Sequence, residues 1–431
     1  MLFQTLCLEE MRTMFDKDWK GRNMASKSKR EPIEPHAGDK RYVRRKPDGT
    51  FGKNVDVGRS LALTRGPKPG LRFPKFRATA AIQRGNLLDN AAIAELLIRE
   101  AETASEHRRL ALKRAARAAF IWPEEAAHLA AQGRSLTELE GIGPWLARRL
   151  HEWFESPPAD LDPPPIRREF LTLVQARRLL ANNPDWNHLL KGDLQMHTVW
   201  SDGSATILAI AEAAIERKYR YIAITDHTKG LKIAHGLDEE RLEQQGREIM
   251  ELNRRFRKRE TDFTILRSAE VNLSPKGEGD IEPSALRKLD LVLGCFHSAL
   301  RRVDDQTGRY IAGLNNPEIH VLGHPQTRIY NHREGLKADW HKVFAEAARL
   351  DKAVEIDGYA DRQDLRHSLL KIANEEGARI SLGTDAHHPE QLAYIELSLA
   401  ATILAKIPPE RIINFMTLPQ LTKWINSLRG Q

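Results

Sequence analysis

Tyr221-Ile222-Ala223-Ile224-Thr225-Asp226-His227 begins as a short β-favouring run and ends on two side chains able to hold a metal. Six further runs share this form. They are Gly192-Asp193-Leu194-Gln195-Met196-His197, Leu266-Arg267-Ser268-Ala269-Glu270 and Leu291-Val292-Leu293-Gly294-Cys295-Phe296-His297. Then come Val321-Leu322-Gly323-His324, Ala353-Val354-Glu355-Ile356-Asp357 and Ile380-Ser381-Leu382-Gly383-Thr384-Asp385-Ala386-His387. A β-rich run that stops on His, Asp or Glu places that side chain at the strand's C-terminal end. In barrel-like α/β folds that rim is where active sites are built. Helical segments are predicted over 205–218, 238–258, 338–350 and 362–376, which gives the βα rhythm of a parallel sheet or barrel. Seven such runs in order point to an enzyme with a multinuclear metal site.

The ligand inventory is mixed. His197, His227, His297, His324 and His387 supply imidazoles, and Asp202, Asp226, Glu270 and Asp385 supply carboxylates. With thiolate absent from the set, this mixture suits Zn²⁺, Mn²⁺ or Fe²⁺. A bridging carboxylate lets two cations sit roughly 3.5–4 Å apart and jointly activate water, which favours in-line attack on phosphorus. Asp226 is read as orienting its neighbours rather than binding metal. His235, His320, His332, His341 and His388 fall off the pattern and are read as ordinary.

At these residues the chain resembles the polymerase-and-histidinol-phosphatase (PHP) superfamily, from Gly192 to about Leu399. The matching motifs are Asp193-Leu194 with His197-Thr198, Ser201-Asp202-Gly203, Thr225-Asp226-His227 and Glu270. They continue through Cys295-Phe296-His297-Ser298, Gly323-His324-Pro325 and Thr384-Asp385-Ala386-His387. The wording is closest to the PHP domain of bacterial family X DNA polymerases, including the stretch from Thr228 to Glu240. The resemblance implies a distorted (β/α)₇ barrel holding two to three divalent ions (Zn²⁺ or Mn²⁺, with Fe²⁺ as a further option). It implies that His197, Glu270 and Asp385 hold one metal, that Glu270 bridges to a second on His297 and His324, and that Asp202, His227 and His387 hold a third. Glu270, Asp385 and His297 are thereby expected to be catalytic. Gln195 stands at the family's first-histidine position; its neutral amide oxygen is a weaker ligand, so that metal is expected to be looser. Lys229, Arg301, Arg302 and Arg328 follow strand ends and are expected to meet substrate phosphate.

Upstream, residues 86–156 read as short, Ala-rich, Arg-studded helices. Ile93, Leu96, Leu97 and Ile98 form one apolar cluster, Leu110, Leu112 and the alanines through Ala119 another, and Trp122-Pro123 is a breaker. Leu136-Thr137-Glu138-Leu139-Glu140-Gly141-Ile142-Gly143-Pro144-Trp145-Leu146-Ala147-Arg148-Arg149-Leu150 matches a helix-hairpin-helix. Its two glycines permit a tight turn whose backbone N–H groups meet a phosphate at the next helix start. Gly141, Ile142, Gly143, Trp145, Arg148 and Arg149 are the expected contacts to DNA backbone, without sequence preference. The region resembles the small N-terminal DNA-binding domain of family X polymerases, in which a lysine after the turn can attack an abasic sugar. Here no lysine occurs between Lys113 and Lys191, and arginine is no amine nucleophile, so lyase chemistry is not expected.

Composition sets the outer bounds. The chain has 431 residues, 41% apolar, with a net charge of +8. Residues 1–80 hold 19 Lys and Arg against 9 Asp and Glu, so this segment accounts for the whole excess. It reads as a basic, low-order tail in which a hairpin turns at Asp48-Gly49. Met24-Ala25-Ser26-Lys27 has the look of a start site, which would leave residues 1–23 outside the expressed protein. Cys7 and Cys295 are too few and too far apart for a disulfide framework, so a reducing cytoplasm is expected. No run reaches the ~18 apolar residues of a membrane span, and the N-terminus is wrong for a signal peptide.

Residues 157–191, rich in proline at the start and carrying one helix (about 167–181), read as a linker. About 35 residues between Ser156 and Gly192 leave no room for a nucleotidyltransferase palm, so a polymerase is excluded. The reading is a phosphoesterase acting on DNA ends, a 3′→5′ exonuclease or end cleaner of the nucleoid. The alternatives are a small-molecule phosphatase of the histidinol-phosphate or nucleotide type, and a non-catalytic DNA-binding protein whose metals are structural.

Overall fold

The computed structural model of the protein describes residues 30–33, 41–44, 55–56, 88–159 and 161–429. In the basic segment three short strands, β1 (Arg30–Ile33), β2 (Arg41–Arg44) and β3 (Val55–Asp56), pair antiparallel in that order. β2 and β3 flank Asp48-Gly49, where the sequence places a turn; the turn, the Met24 stretch and the rest of the tail lie outside the described residues. This sheet belongs to a compact unit of residues 1–75, and residues 76–431 form a second one.

The second unit starts with four helices, α1 (Asn90–Thr103), α2 (Glu106–Ala119), α3 (Ala126–Ala131) and α4 (Pro144–Glu155). Their shared core contains Ile93, Leu97, Leu112, Ala115, Ala119, Trp122 and Leu150. Leu110, expected in that core, is 56% exposed; two residues from Leu112, it lies on another face of α2. The Pro-rich segment that follows is not a free tether. It contains α5 (Leu173–Ala181), opened by a capping box of Thr172 and Gln175, and α6 (Asp185–Leu189). Phe170 within it meets Phe120 of the helical region and Tyr330 of the barrel at centroid distances of 5.9 and 5.1 Å. Arg167, its side chain 7% exposed, donates to both carboxylate oxygens of Glu95, to Glu102 and to the Asn331 side chain.

The strands expected from the sequence all form, each running in parallel with its neighbours. They are β4 (Gly192–Asp193), β5 (Tyr221–Ile224), β6 (Thr264–Arg267), β7 (Glu270–Asn272), β8 (Leu293–Cys295), β9 (Val321–Leu322), β10 (Ala353–Asp357) and β11 (Arg379–Gly383). β4-β5-β6 form one parallel sheet and β7-β8-β9-β10-β11 another. β6 and β7 are two halves of one strand, interrupted at Ser268 and Ala269. Bridges between Met196 and Ala386, and between His227 and Glu270, join the sheets into a distorted seven-stranded barrel.

The crossovers are α7 (Ile207–Glu216), α8 (Glu239–Lys258), α9 (Pro283–Leu286), α10 (Thr307–Leu314), α11 (Trp340–Arg349) and α12 (His367–Glu375). Thr206, Asp238 and Asp339 cap α7, α8 and α11 by accepting backbone N–H groups. After β11 come α13 (Ile395–Leu404) and α14 (Leu418–Arg429). α14 closes the barrel's N-terminal end: Trp424 donates to the Asp351 carbonyl and Leu421 packs with Leu293 and Ala353. That closure leaves the C-terminal mouth as the functional face. Among the described residues no helix is long and apolar enough to cross a membrane.

Arg167→Ala would leave the buried Glu95 carboxylate to Arg99, whose Nε lies 2.7 Å from its Oε1. We expect a loss of about 1.5–3 kcal/mol, read from urea unfolding, with Arg167→Lys recovering part of it.

Candidate metal centre

The period-2 geometry of strands explains how the ligands converge. At the end of β4, Gln195 and His197 face inward while Met196 between them packs outside with Ile207 and Ile210. The extension of β8 does the same with Cys295 and His297 around Phe296, which joins the outer core. β11 continues into Asp385 and His387. Asp385 has a φ of 51°, a left-handed conformation that aspartate tolerates better than most residues.

Glu270, fully buried at the strand break, is the hub. Its Oε1 lies 2.8 Å from His297 Nε2 and 2.9 Å from His324 Nε2. Its Oε2 lies 3.2 Å from His197 Nε2 and 3.6 Å from His227 Nδ1, and accepts from Gln195 Nε2 at 3.0 Å. Asp385 Oδ1 sits 2.9 Å from the same His197 nitrogen. Asp202 stands between His227 and His387 at 3.6 and 3.5 Å. His197 is stacked between the rings of His227 and His387, with centroids 4.3 and 4.5 Å away.

Outer partners fix these side chains. His297 Nδ1 faces Asn272 Oδ1 at 3.2 Å and His387 Nδ1 faces the Asp385 carbonyl at 2.7 Å, so each ring turns Nε2 toward the cluster. Asp226 accepts from Thr198, Ser201 and Gln245, and so ties down the loop that carries Asp202. Burial raises the Glu270 carboxyl, but the imidazoles around it win and hold it well below the usual range. Burial lowers His324, yet Glu270 beside it pushes the imidazole up to about 10.

Four groups of potential ligands have their donor atoms within 4.8 Å of one another. They are His197 with Asp202, His227 and His387; His227 with Glu270 and His297; Glu270 with Cys295 and His324; and His197 with Glu270 and Asp385. The donor chemistry fits divalent cations. Neither ring nitrogen of His197 makes a well-formed hydrogen bond, and Gln195 Oε1 is buried without a partner; such atoms suit a shared positive centre. One donor stands beside the expected set: Cys295 groups with Glu270 and His324. Its signal lay in the sequence, two residues before His297 on the same strand face. Arg362, also missed, ion-pairs with Asp385.

The expected phosphate contacts divide. Arg328 is buried, stacked 3.7 Å over the Phe170 ring and donating to the Arg168 carbonyl. It ties the connecting segment to the barrel, and a phosphate ligand is ruled out by its enclosure. Lys229 pairs with Glu239 at 2.7 Å, Arg302 with Asp304, and Arg301 lies 3.5 Å from His332. In the hairpin, Gly141 adopts a φ of 79° and Gly143 is the N-cap of α4. Ile142 is buried, and the Arg108 guanidinium lies over the half-buried Trp145 ring. Arg148 is exposed, whereas Arg149 bridges Glu100 and Glu152.

A closed parallel barrel with a His/Asp/Glu cluster at its mouth defines a class of α/β proteins able to hold several metal ions. No protein-family model matches the chain. The DNA polymerase/3'-5' exonuclease PolX of Bacillus subtilis is 33% identical over 237 residues, 55% of this chain and 41% of that protein. A "Probable phosphatase" of Syntrophotalea carbinolica is 29% identical over 237 residues and 90% of its length. The "Probable phosphatase YcdX" of Escherichia coli is 28% identical over 235 residues and 89% of its length. The chain thus spans about two-fifths of the Bacillus protein. A solved histidinol phosphate phosphatase from Lactococcus lactis, complexed with zinc, L-histidinol and phosphate, is 17% identical with a TM-score of 0.38. It covers 50% of this chain and 93% of its own, a likeness too slight to argue from. Over about half its length the chain is similar to these phosphatases and to part of the Bacillus polymerase/exonuclease.

His324, protonated below about 10 in the metal-free protein, must lose that proton to offer a lone pair. Metal binding should therefore release protons, and apparent affinity should rise with pH across the neutral range. Calorimetry in buffers of different ionisation enthalpy checks this. Gln195→His should tighten the weakest metal and favour Zn²⁺ over Mn²⁺; superimposable titrations of both proteins would place Gln195 away from the metals.

Proposed function

We propose that this chain is a metal-dependent phosphoesterase that hydrolyses phosphate ester bonds at DNA ends, in the manner of a 3′→5′ exonuclease or end cleaner. The observation that carries the reading is the convergence of five imidazoles and two further carboxylates around Glu270 at the barrel mouth, within one compact unit with the hairpin helices. Phosphoester hydrolysis needs a nucleophile at neutral pH and neutralisation of phosphoryl charge. Two or three divalent cations held there would supply both.

The residues divide the work. His197, Glu270 and Asp385 would hold one cation, beside Gln195; Glu270, His297 and His324 would hold a second; Asp202, His227 and His387 would hold a third. Asn272, Asp226 and the Asp385 carbonyl orient these ligands, and Arg362 anchors Asp385. The hairpin contributes sequence-independent affinity through the turn at Gly141 and Gly143 and the cation of Arg148. The basic segment adds salt-sensitive attraction to phosphates. A cytoplasmic, nucleoid-associated protein follows from that partner.

Support for a DNA substrate comes from the Bacillus relative, named for polymerase and 3'-5' exonuclease activities, which aligns over 237 residues. A small-molecule phosphatase is the second reading, favoured by relatives named as probable phosphatases that align over nearly their whole length. The helical layer favours the first, since a small soluble phosphomonoester needs no backbone-binding hairpin.

End-labelled DNA and small phosphomonoesters, compared with added Mn²⁺, separate the two readings; hydrolysis of the small ester alone would overturn the first. Glu270→Ala or Asp385→Ala should cut DNA hydrolysis by at least about 10²-fold and leave DNA binding unchanged. Arg148→Gln should lower the salt dependence of duplex binding by about 0.9 in log–log slope.

A further inference from the structure

Below the cluster, two glycines on the inner wall of the barrel let polar side chains pack directly against the backbone. A Cβ on Gly323 would stand 2.2 Å from Cys295 Sγ and 3.3 Å from Glu355 Oε2. One on Gly383 would stand 2.4 Å from Glu355 Oε1 and 3.1 Å from Gln195 Oε1. Glu355 lies on β10, between the strands that end at these glycines, two residues before Asp357 and on the same face. Cys295, Glu355 and Gln195 are each fully buried.

The polar atoms around this space are short of partners. Glu355 Oε2 accepts the His324 backbone N–H at 2.8 Å, but Glu355 Oε1 and Gln195 Oε1 have no hydrogen-bond partner. A buried carboxylate oxygen without a donor is costly. Cys295 Sγ, a Glu270 oxygen and a His324 nitrogen lie within 4.8 Å of one another on the Gly323 side. Sulfur, imidazole and carboxylate around one small space form a donor set that suits Zn²⁺ better than Mn²⁺.

We propose that Cys295 joins Glu270 and His324 in binding a thiophilic divalent cation on the inner side of the centre, the same cation that these two residues are read as holding with His297, with Glu355 and the Gln195 amide oxygen facing that space. The proposal rests on reading the mouth cluster as a metal centre and adds to it a sulfur ligand one layer deeper, with Glu355 as its neighbour. On binding, the Cys295 S–H bond breaks, the proton leaves to solvent and a metal–sulfur bond forms, with no change of oxidation state. Glycine at 323 and 383 is then a requirement of the site, since any side chain would displace Cys295 or Glu355.

The test uses the full chain carrying Cys7→Ser, so that Cys295 is the one remaining thiol. The protein is stripped with chelator and titrated with Co²⁺, following bound cobalt and near-ultraviolet absorption together. The expected result is a sulfur-to-cobalt charge-transfer band that is lost in Cys295→Ala. Zn²⁺ should displace this cobalt, and Glu355→Gln should weaken the sulfur-containing site by about tenfold or more. Bound cobalt without the band overturns the inner site while leaving the metal centre standing, and needs no Cys295 variant to fold. Failure to bind cobalt at all overturns both.

Discussion

A fully buried carboxylate at the centre of a barrel cannot stand alone, and Glu270 sets the terms for everything around it. In a low-dielectric interior an unpaired carboxylate would take up a proton. Here Gln195, His197, His227, His297 and His324 surround it, and they hold it ionised. The break between β6 and β7 lets Glu270 project into that ring, and the bridge from His227 to Glu270 closes the barrel at the same point. The strand interruption, the closure and the ligand hub are one structural feature.

The outer residues read as consequences. His297 and His387 present Nε2 inward because Asn272 and the Asp385 carbonyl occupy Nδ1. Asp226, adjacent to a ligand in sequence, spends its oxygens on Thr198, Ser201 and Gln245 instead, so that Asp202 is delivered from a tied loop. Arg362 balances the second oxygen of Asp385. Such partners restrict each side chain to one rotamer and one tautomer, which prepares the cluster to receive a cation.

The helical layer is bound into this arrangement rather than tethered to it. His324 lies at the start of a loop whose later residues meet the preceding segment: Arg328 against Phe170, Tyr330 against Phe120 and Phe170, Asn331 against Arg167. Arg167 in turn neutralises Glu95 of α1. A ligand loop and a hairpin-bearing helical layer thus share one packed interface. Displacement of the layer would be felt by the loop that carries His324.

The sequence by itself determined the strand count, the parallel order and the positions of the His, Asp and Glu side chains at the mouth. Each of these depends on local pattern: β-favouring runs, a period of two and a polar residue at the strand's end. The hairpin turn was legible for the same reason, because Gly141 and Gly143 meet a local backbone demand. Only the tertiary structure decided which side chains share a space. It enclosed Arg328, turned Arg149 toward Glu100 and Glu152, and drew Cys295 and Glu355 under the cluster. Those outcomes depend on contacts between residues far apart in the chain, and no local pattern encodes them. Glycine at 323 and 383 shows the difference: each looks like ordinary strand-end sequence until Cys295 and Glu355 are seen across the barrel.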